Sequence, residues 1–417
     1  MRHYLKLFCL VVTLSVAGCA GPGQSPWQTP SGGAITRDQV PDYSQPQQGG
    51  QTPMPTTMQS APVDAAAPAP VRHTGELPPV KVALLVPLTG PQGALGQAMF
   101  NAAQMALFDI GASNVTILPH DTAKGASAAA TAALNEGAQM ILGPLFAQDV
   151  KTVSPIAASR NVPVVAFSTD WTAAAANTYI MGFLPFEQIT RVMDYARNHN
   201  AKIFTALVPQ TAYGTAVNVT LQNYTQRNGL VTPQTIVFGN AQLGGAIKKL
   251  ASQQQAGGQW AADALLLPLG GPQLAQAATL LRQNDMSLRQ TRLLGTGLWD
   301  DSPQASALLP GGWYAAPDPG LRVKFNMQYT KTYGRPAPRL ATLAYDATAL
   351  AAALAVKGLR EGNAPAYDRA SLTNPNGFSG LDGVFRFRPD GLVERALAVL
   401  ELTTTGPTVI DPAPTRF

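Results

Sequence analysis

Cysteine is nearly missing from this 417-residue chain: Cys9 and Cys19 are the two, and both lie close to its start. Cys9 falls inside an apolar stretch that reads as a removable leader, so the mature chain keeps Cys19 alone and no internal disulfide is available. A domain of this length does not need one, because it can bury a substantial core. Charge is scarce as well. Only 13% of residues are charged, and the net +5 falls to +3 once Arg2 and Lys6 leave with the leader. The basic residues form no runs, which excludes a nucleic-acid footprint. Histidine is thin: His3 sits in the leader and His73 in a Pro/Gln-rich stretch, leaving His120 and His199, far apart and without a cysteine to complete a usual zinc cluster. No serine occupies a Gly-x-Ser-x-Gly elbow. Neither an enzyme nor a bound metal or cofactor is expected.

Long apolar runs are absent too. The most apolar segment, from Leu7 to Val12, is well short of the roughly 20 residues of a membrane-spanning helix. With Arg2 and Lys6 ahead of it and Val16-Ala17-Gly18-Cys19 behind, it reads as a signal peptide over 1–18 ending in a sequence that resembles a lipobox, with Cys19 carrying the lipid. Ala20 lacks the aspartate that commonly holds lipoproteins in the inner membrane, so the expectation is a cell-envelope protein anchored in the outer membrane and facing the periplasm. Residues 19–79 are rich in Pro, Gln, Gly, Ser, Thr and Ala. Such a segment cannot bury enough apolar surface to offset its ordering entropy and reads as a disordered tether, averaging roughly 40–45 Å end to end if it behaves as a flexible coil.

What is present begins at Val80. The run Val80 to Val86 is a buried strand by composition, and Gly90, Gly93 and Gly96 follow before Leu95, Met99, Ala102 and Ala106 recur at helical spacing. The alternation continues through strands at 115–118, 140–142 and 162–167, with helices at 126–136 and 150–159 between them. A second series has helices at 188–198, 216–227, 243–255 and 273–283 and strands at 203–208, 235–238, 264–267 and 292–295. Repeated β-α-β crossovers require parallel sheets covered on both faces, and two such series exceed one ordinary core. After Trp313 come helices at 323–333 and 340–357. Gly383 to Phe387 and Ala396 to Leu400, separated by Pro389-Asp390-Gly391, read as an antiparallel pair.

Val82 to Met99, V-A-L-L-V-P-L-T-G-P-Q-G-A-L-G-Q-A-M, resembles the opening strand, loop and helix of the type I periplasmic binding proteins of the leucine/isoleucine/valine kind. The segment Gly377 to Gly391, G-F-S-G-L-D-G-V-F-R-F-R-P-D-G, is similar to that family's closing hairpin. Ile141-Leu142-Gly143-Pro144, Val162-Pro163-Val164-Val165 and Tyr213-Gly214 match between them. The resemblance implies an α/β fold of two Rossmann-like lobes with parallel-sheet cores and a three-segment hinge. Lobe 1 would take 80–185 and 312–372, lobe 2 would take 186–311 and 373–405, and 406–417 would form a tail.

The resemblance also places the site, in the cleft beyond the carboxyl ends of the strands. Candidates for a cleft wall or ligand contact are Thr89, Gly90 and Gln92 in the first glycine-rich turn, Phe146 and Ala147 after Gly143-Pro144, and Ser168 and Thr169 at a strand end. In the second lobe they are Tyr213, Gly271, Gln273 and Trp299. Ser168-Thr169 read equally as a cap acting through Asp170, Trp299 equally as core, and His120-Asp121 as either a cleft element or a hydrogen-bonded strand end. Two positions depart from amino-acid receptors of this family: Leu145 to Gln148 offers no serine after Gly143-Pro144, and Gln273 stands where a carboxylate for the ligand's ammonium is expected. The Gly-Pro-Leu at Gly143 to Leu145, the anchor and the charge-poor lobes resemble the penicillin-binding-protein activator lipoproteins. That resemblance implies a peptidoglycan synthase as partner. The alternative it leaves open is a substrate-binding lipoprotein for an ABC importer, with a permease as partner and an amino acid or related small polar solute in the cleft.

Overall fold

A computed structural model describes residues 76–417 except 240–241, 253–261, 285–290, 301, 303–304 and 363. The proposed leader, Cys19 and nearly all of the tether lie outside the described residues, as does the end of the helix expected to reach residue 255.

The first lobe opens with β1 (Val80–Val86), α1 (Gly93–Ile110), β2 (Val115–Asp121), α2 (Ala126–Asn135), β3 (Met140–Leu142), α3 (Ala147–Ala158), β4 (Val164–Ala166) and β5 (Thr178–Ile180). The strands are parallel in the order β2-β1-β3-β4-β5. The second series runs α4 (Pro185–Asn198), β6 (Phe204–Pro209), α5 (Ala212–Arg227), β7 (Gln234–Phe238), α6 (Leu243–Ala251), β8 (Ala264–Leu266), α7 (Gly271–Gln283), β9 (Arg292–Thr296), α8 (Ala305–Leu308) and β10 (Trp313–Ala316). Its parallel strands stand in the order β7-β6-β8-β9-β10, the same winding as the first sheet. In both lobes the strand order reverses beside the first strand of the series, which opens a crevice at the carboxyl ends.

The two openings share a packing device. A Cβ on Gly96 of α1 would lie 1.9 Å from the Pro87 carbonyl oxygen, and a Cβ on Gly214 of α5 would lie 1.9 Å from that of Pro209. Each helix therefore begins pressed against the end of the strand before it, an approach that only a residue without a side chain permits. Thr211 caps α5, its hydroxyl accepting from the Gly214 N–H at 3.1 Å, which starts that helix at Ala212 rather than near 216.

The chain then forms α9 (Val323–Tyr333), α10 (Ala341–Glu361), α11 (Arg369–Leu372), β11 (Phe378–Gly380), β12 (Gly383–Phe387), β13 (Val393–Arg395), β14 (Ala398–Thr403) and β15 (Gly406–Asp411). Here the fold departs from the sequence expectation. Gly383 to Phe387 meets the run from Ala396 to Leu400 at its first residue, where the Ala396 N–H donates to the Val384 carbonyl at 2.9 Å; along its length β12 pairs with β11 and β13 in a small antiparallel sheet that touches β5 through an Ile180–Leu392 bridge. β14 crosses away and pairs antiparallel with β10, and β15, within the expected tail, closes the edge of the second sheet. The turn residues Pro389 to Gly391 do make a hairpin, but its second arm ends at Arg395, so the longer apolar run is free to join another sheet.

Packing follows the sheets. One core gathers the β1–β5 strands, α10 and also Phe385, Phe387, Leu392 and Val393 of the small sheet. The second sheet has a core on each face, one holding Trp299 and Tyr314, the other Phe204, Tyr224 and Trp313. Residues 313–316 thus belong to the second sheet and 378–395 to the first lobe's core, the reverse of the division expected at 312 and 373. Three segments cross between the lobes, at 181–184, 317–318 and 396–397, and the architecture is the two-lobed α/β fold with a three-segment hinge.

Candidate functional site

Between the lobes lies a cavity of 360 Å³, inside the range of small-molecule sites. The first lobe and the hinge supply Thr169, Phe183, Pro317, Arg339 and Leu340. The second lobe supplies Gln188 of α4 and the loops that follow β6, β8 and β9, including Tyr213, Gln273 and Asp300.

Of the residues expected there, Thr169, Tyr213 and Gln273 line the cavity. Thr169 and Gln273 have no hydrogen bond from their side chains to other described residues, so both can offer polar atoms to an occupant. The Tyr213 hydroxyl is committed, donating to Thr296 Oγ1 at 3.0 Å, and burial pushes its pKa upward. Ser168 is buried and accepts from the Asp170 N–H at 3.0 Å, while Asp170 accepts from the Thr172 N–H at 3.0 Å and caps a short 3-10 turn. The cap reading therefore describes Ser168 and the cleft reading describes Thr169.

The remaining candidates stand elsewhere. Gly271 takes a left-handed φ of 52° and donates its N–H to Ser302 Oγ at 2.7 Å, bracing the start of α7 beside the cavity. Trp299 is core: it is 2% exposed and its indole N–H donates to the Leu267 carbonyl at 3.1 Å. Thr89, Gly90 and Gln92 form an exposed turn that is not part of the cavity wall. Asp121 pins that turn, accepting from Leu88 N–H at 2.8 Å and from the Thr89 hydroxyl at 2.6 Å. Desolvation opposes ionisation of this carboxylate, but those hydrogen bonds outweigh it and hold its pKa below the ordinary value. His120 Nε2 lies 3.6 Å from Glu136, beyond hydrogen-bond distance, and has no hydrogen-bond partner among the described residues, so of the His120-Asp121 pair it is Asp121 that fastens the strand end. Phe146, 44% exposed, and Ala147 open α3 on the first lobe's rim, also outside the cavity wall.

The charged floor of the cavity leaves no local mark in the sequence. Asp300 receives the Tyr314 hydroxyl at 2.8 Å, Arg322 Nη2 at 3.0 Å and Arg339 Nε at 3.7 Å. Arg339 also meets Asp382 at 2.9 Å and stacks 4.1 Å above the Phe183 ring. Gln188 ties the same region together, donating to the Leu184 carbonyl at 2.7 Å and accepting from the Gly297 N–H at 2.6 Å. Tyr314 reaches Asp300 from the neighbouring strand β10, but Arg322 and Arg339 lie across the cleft, and only the crossing of the chain between lobes brings them near. Chemically, the cavity carries one carboxylate and one guanidinium already neutralising each other, set in a mostly apolar wall with a few free hydroxyl and amide groups. Among the described residues no group of three or more His, Cys, Asp or Glu is placed to hold a metal, and no helix is long and apolar enough to cross a membrane.

Residues 79–407 match the family described as periplasmic binding protein. The chain belongs to that family. Among solved structures, this periplasmic binding protein is similar to a putative branched-chain amino acid ABC transporter protein from Rhodospirillum rubrum, at 18% identity over 80% of this chain and 100% of that one with a TM-score of 0.68. It is also similar to the LpoA C-domain from Haemophilus influenzae, a regulator of PBP1A, at 18% identity over 79% of this chain and all of that one with a TM-score of 0.59. At these identities the likeness is one of fold. An uncharacterized protein of Rickettsia prowazekii is 25% identical over 153 residues, a match spanning 36% of this chain and 41% of that relative.

Proposed function

We propose that this periplasmic binding protein is a non-catalytic envelope lipoprotein, anchored through Cys19 to the outer membrane, whose two lobes bind and activate a peptidoglycan synthase. The observation that carries the reading is the internal neutralisation of the cleft. The second-lobe carboxylate available to an amino acid's ammonium, Asp300, is already held by Arg322, Arg339 and Tyr314. An α-amino acid would have to displace those partners, and each buried polar group left unpaired costs about 1–3 kcal/mol. A fold relative regulates PBP1A, so the fold is compatible with such a role. The test is a pull-down with the lipidated protein followed by an assay of glycan-strand synthesis. Capture of a penicillin-binding protein with a rise in its activity supports the reading; no capture and no rise refute it.

One observation favours a second reading, a solute receptor for an ABC importer: the 360 Å³ cavity has Thr169 and Gln273 unengaged at its wall. Calorimetry with amino acids and small neutral polar solutes separates the two. Sub-micromolar binding of any of them turns the assignment toward transport.

A further inference from the structure

The two lobes are joined by more than their crossing segments. Asp300 follows β9 in the second lobe, while Arg322 stands at the start of α9, Arg339 just before α10 and Asp382 in the turn between β11 and β12, all on the first-lobe side. Arg322 Nη2 meets Asp300 at 3.0 Å and its Nη1 lies 3.7 Å from Asp382; Arg339 spans the same two carboxylates at 3.7 and 2.9 Å. The Asp300 and Asp382 side chains are 5% and 0% exposed and the two arginines 12% and 11%, so the chain of charges is shielded from solvent and from salt. Its surroundings stiffen it. Phe183, in the first crossing segment, lies under Arg339 at 4.1 Å and Arg395 at 5.0 Å, and Arg395 Nη2 donates to the Met181 carbonyl at 2.8 Å.

We infer that Asp300 is a built-in occupant of the cleft: a second-lobe carboxylate that binds the first-lobe arginines Arg322 and Arg339 and fixes the opening of the lobes with no solute present. A lobe-closing solute must bridge the two halves by its own contacts. Here a side chain of the protein makes the bridge, so the lobe surfaces keep one relative placement, ready for a partner. The inference stands on the ion chain itself and holds whether the partner is a synthase or a permease.

The experiment is single-molecule energy transfer on the full-length protein, with fluorophores introduced through noncanonical residues at exposed Ser127 of α2 and Gln222 of α5. The wild type is expected to give one narrow distance distribution, the same in low salt and in high salt. Asp300→Asn and Arg322→Gln are expected to broaden or shift it, and Arg197→Gln, which removes a pair with Asp194 internal to the second lobe, is expected to leave it alone. Arg322→Lys keeps the charge and protects the test against misfolding of the other variants; its distribution should lie between theirs and that of the wild type. Folded Asp300 and Arg322 variants with a wild-type distribution, or a wild type that already samples several openings, overturn the inference. Neither result bears on synthase binding, so the two proposals fail separately.

Discussion

The indole of Trp299 fills the space where a side chain on Gly295 would stand: a Cβ built on that glycine lies 2.2 Å from the ring. The contact explains why a tryptophan at a strand end, which from the sequence suits a cleft wall as well as a core, points inward. β9 carries glycine at the position facing it, and Gly312 leaves room from the other side, with a Cβ only 2.8 Å from the ring. Trp299→Ala is expected to destabilise the protein by about 3–5 kcal/mol through cavity formation. Gly295→Ala should destabilise it by overpacking, on the order of 1–3 kcal/mol. Urea unfolding followed by tryptophan fluorescence and circular dichroism measures both; a Gly295→Ala protein as stable as the wild type would show that the ring can move aside.

The paired glycines at the lobe openings give a second expectation. Gly96 and Gly214 each sit 1.9 Å, measured from a hypothetical Cβ, from the carbonyl oxygen of a proline that ends the preceding strand. The obstacle is backbone in both cases, so an alanine at either position cannot be relieved by a side-chain rotation. Gly96→Ala and Gly214→Ala should each lower stability by at least about 1–3 kcal/mol. Gly90→Ala meets no atom within 4 Å and is limited to the smaller strain of its φ of 72°. Thermal unfolding of the three variants ranks them.

How much of this was legible beforehand depends on how local the cause was. β1 announces itself, because Val80 to Val86 is apolar, β-branched and ended by a proline, and both lobes' glycine turns follow from chain-local needs. β5, three residues at Thr178 to Ile180, carries no periodicity, and it is a strand only because β4 lies beside it. The same holds for β10, whose Trp313-Tyr314-Ala315-Ala316 has no alternating pattern yet sits between β9 and β14 with all four residues buried. In the cleft, strand-end position was enough to mark Thr169 and Tyr213. It was not enough to find Asp300 and Arg339, since a salt bridge between remote residues leaves no trace in either one's neighbours.

Anchoring through Cys19 has a direct test. Cys19→Ala should abolish incorporation of labelled palmitate and move the protein from the membrane fraction to the soluble periplasmic extract. A wild-type protein that takes up no label, or a Cys19→Ala protein labelled as strongly as the wild type, would refute a lipid anchor at this residue.

Burial of Asp346 makes the last prediction, and its sign is opposite to that of an ordinary salt-bridged carboxylate. Asp346, on α10, is 1% exposed and accepts the Leu381 N–H at 2.7 Å. Burial, reinforced by the negative charge of Asp382, raises its pKa to about 7 from an ordinary 3.8. Asp382 resolves the other way: burial opposes its ionisation, but Arg339, Arg395 and the Thr342 hydroxyl outweigh it and keep the carboxylate charged. Between the two values the folded Asp346 holds a proton that the unfolded chain has released, so its contribution to stability is complete below its unfolded pKa and is lost as pH rises through about 7. Glu187, raised well above the ordinary range by burial, acts in the same direction. The wild type should therefore lose stability, on the order of a few kcal/mol, from about pH 4 to about pH 7. Asp346→Asn keeps an oxygen for the Leu381 N–H but cannot ionise, so it should flatten most of that slope while leaving the residual part due to Glu187. Chemical denaturation at several pH values reads the slope directly, and an Asp346→Asn protein with the wild-type dependence would place the titrating group elsewhere.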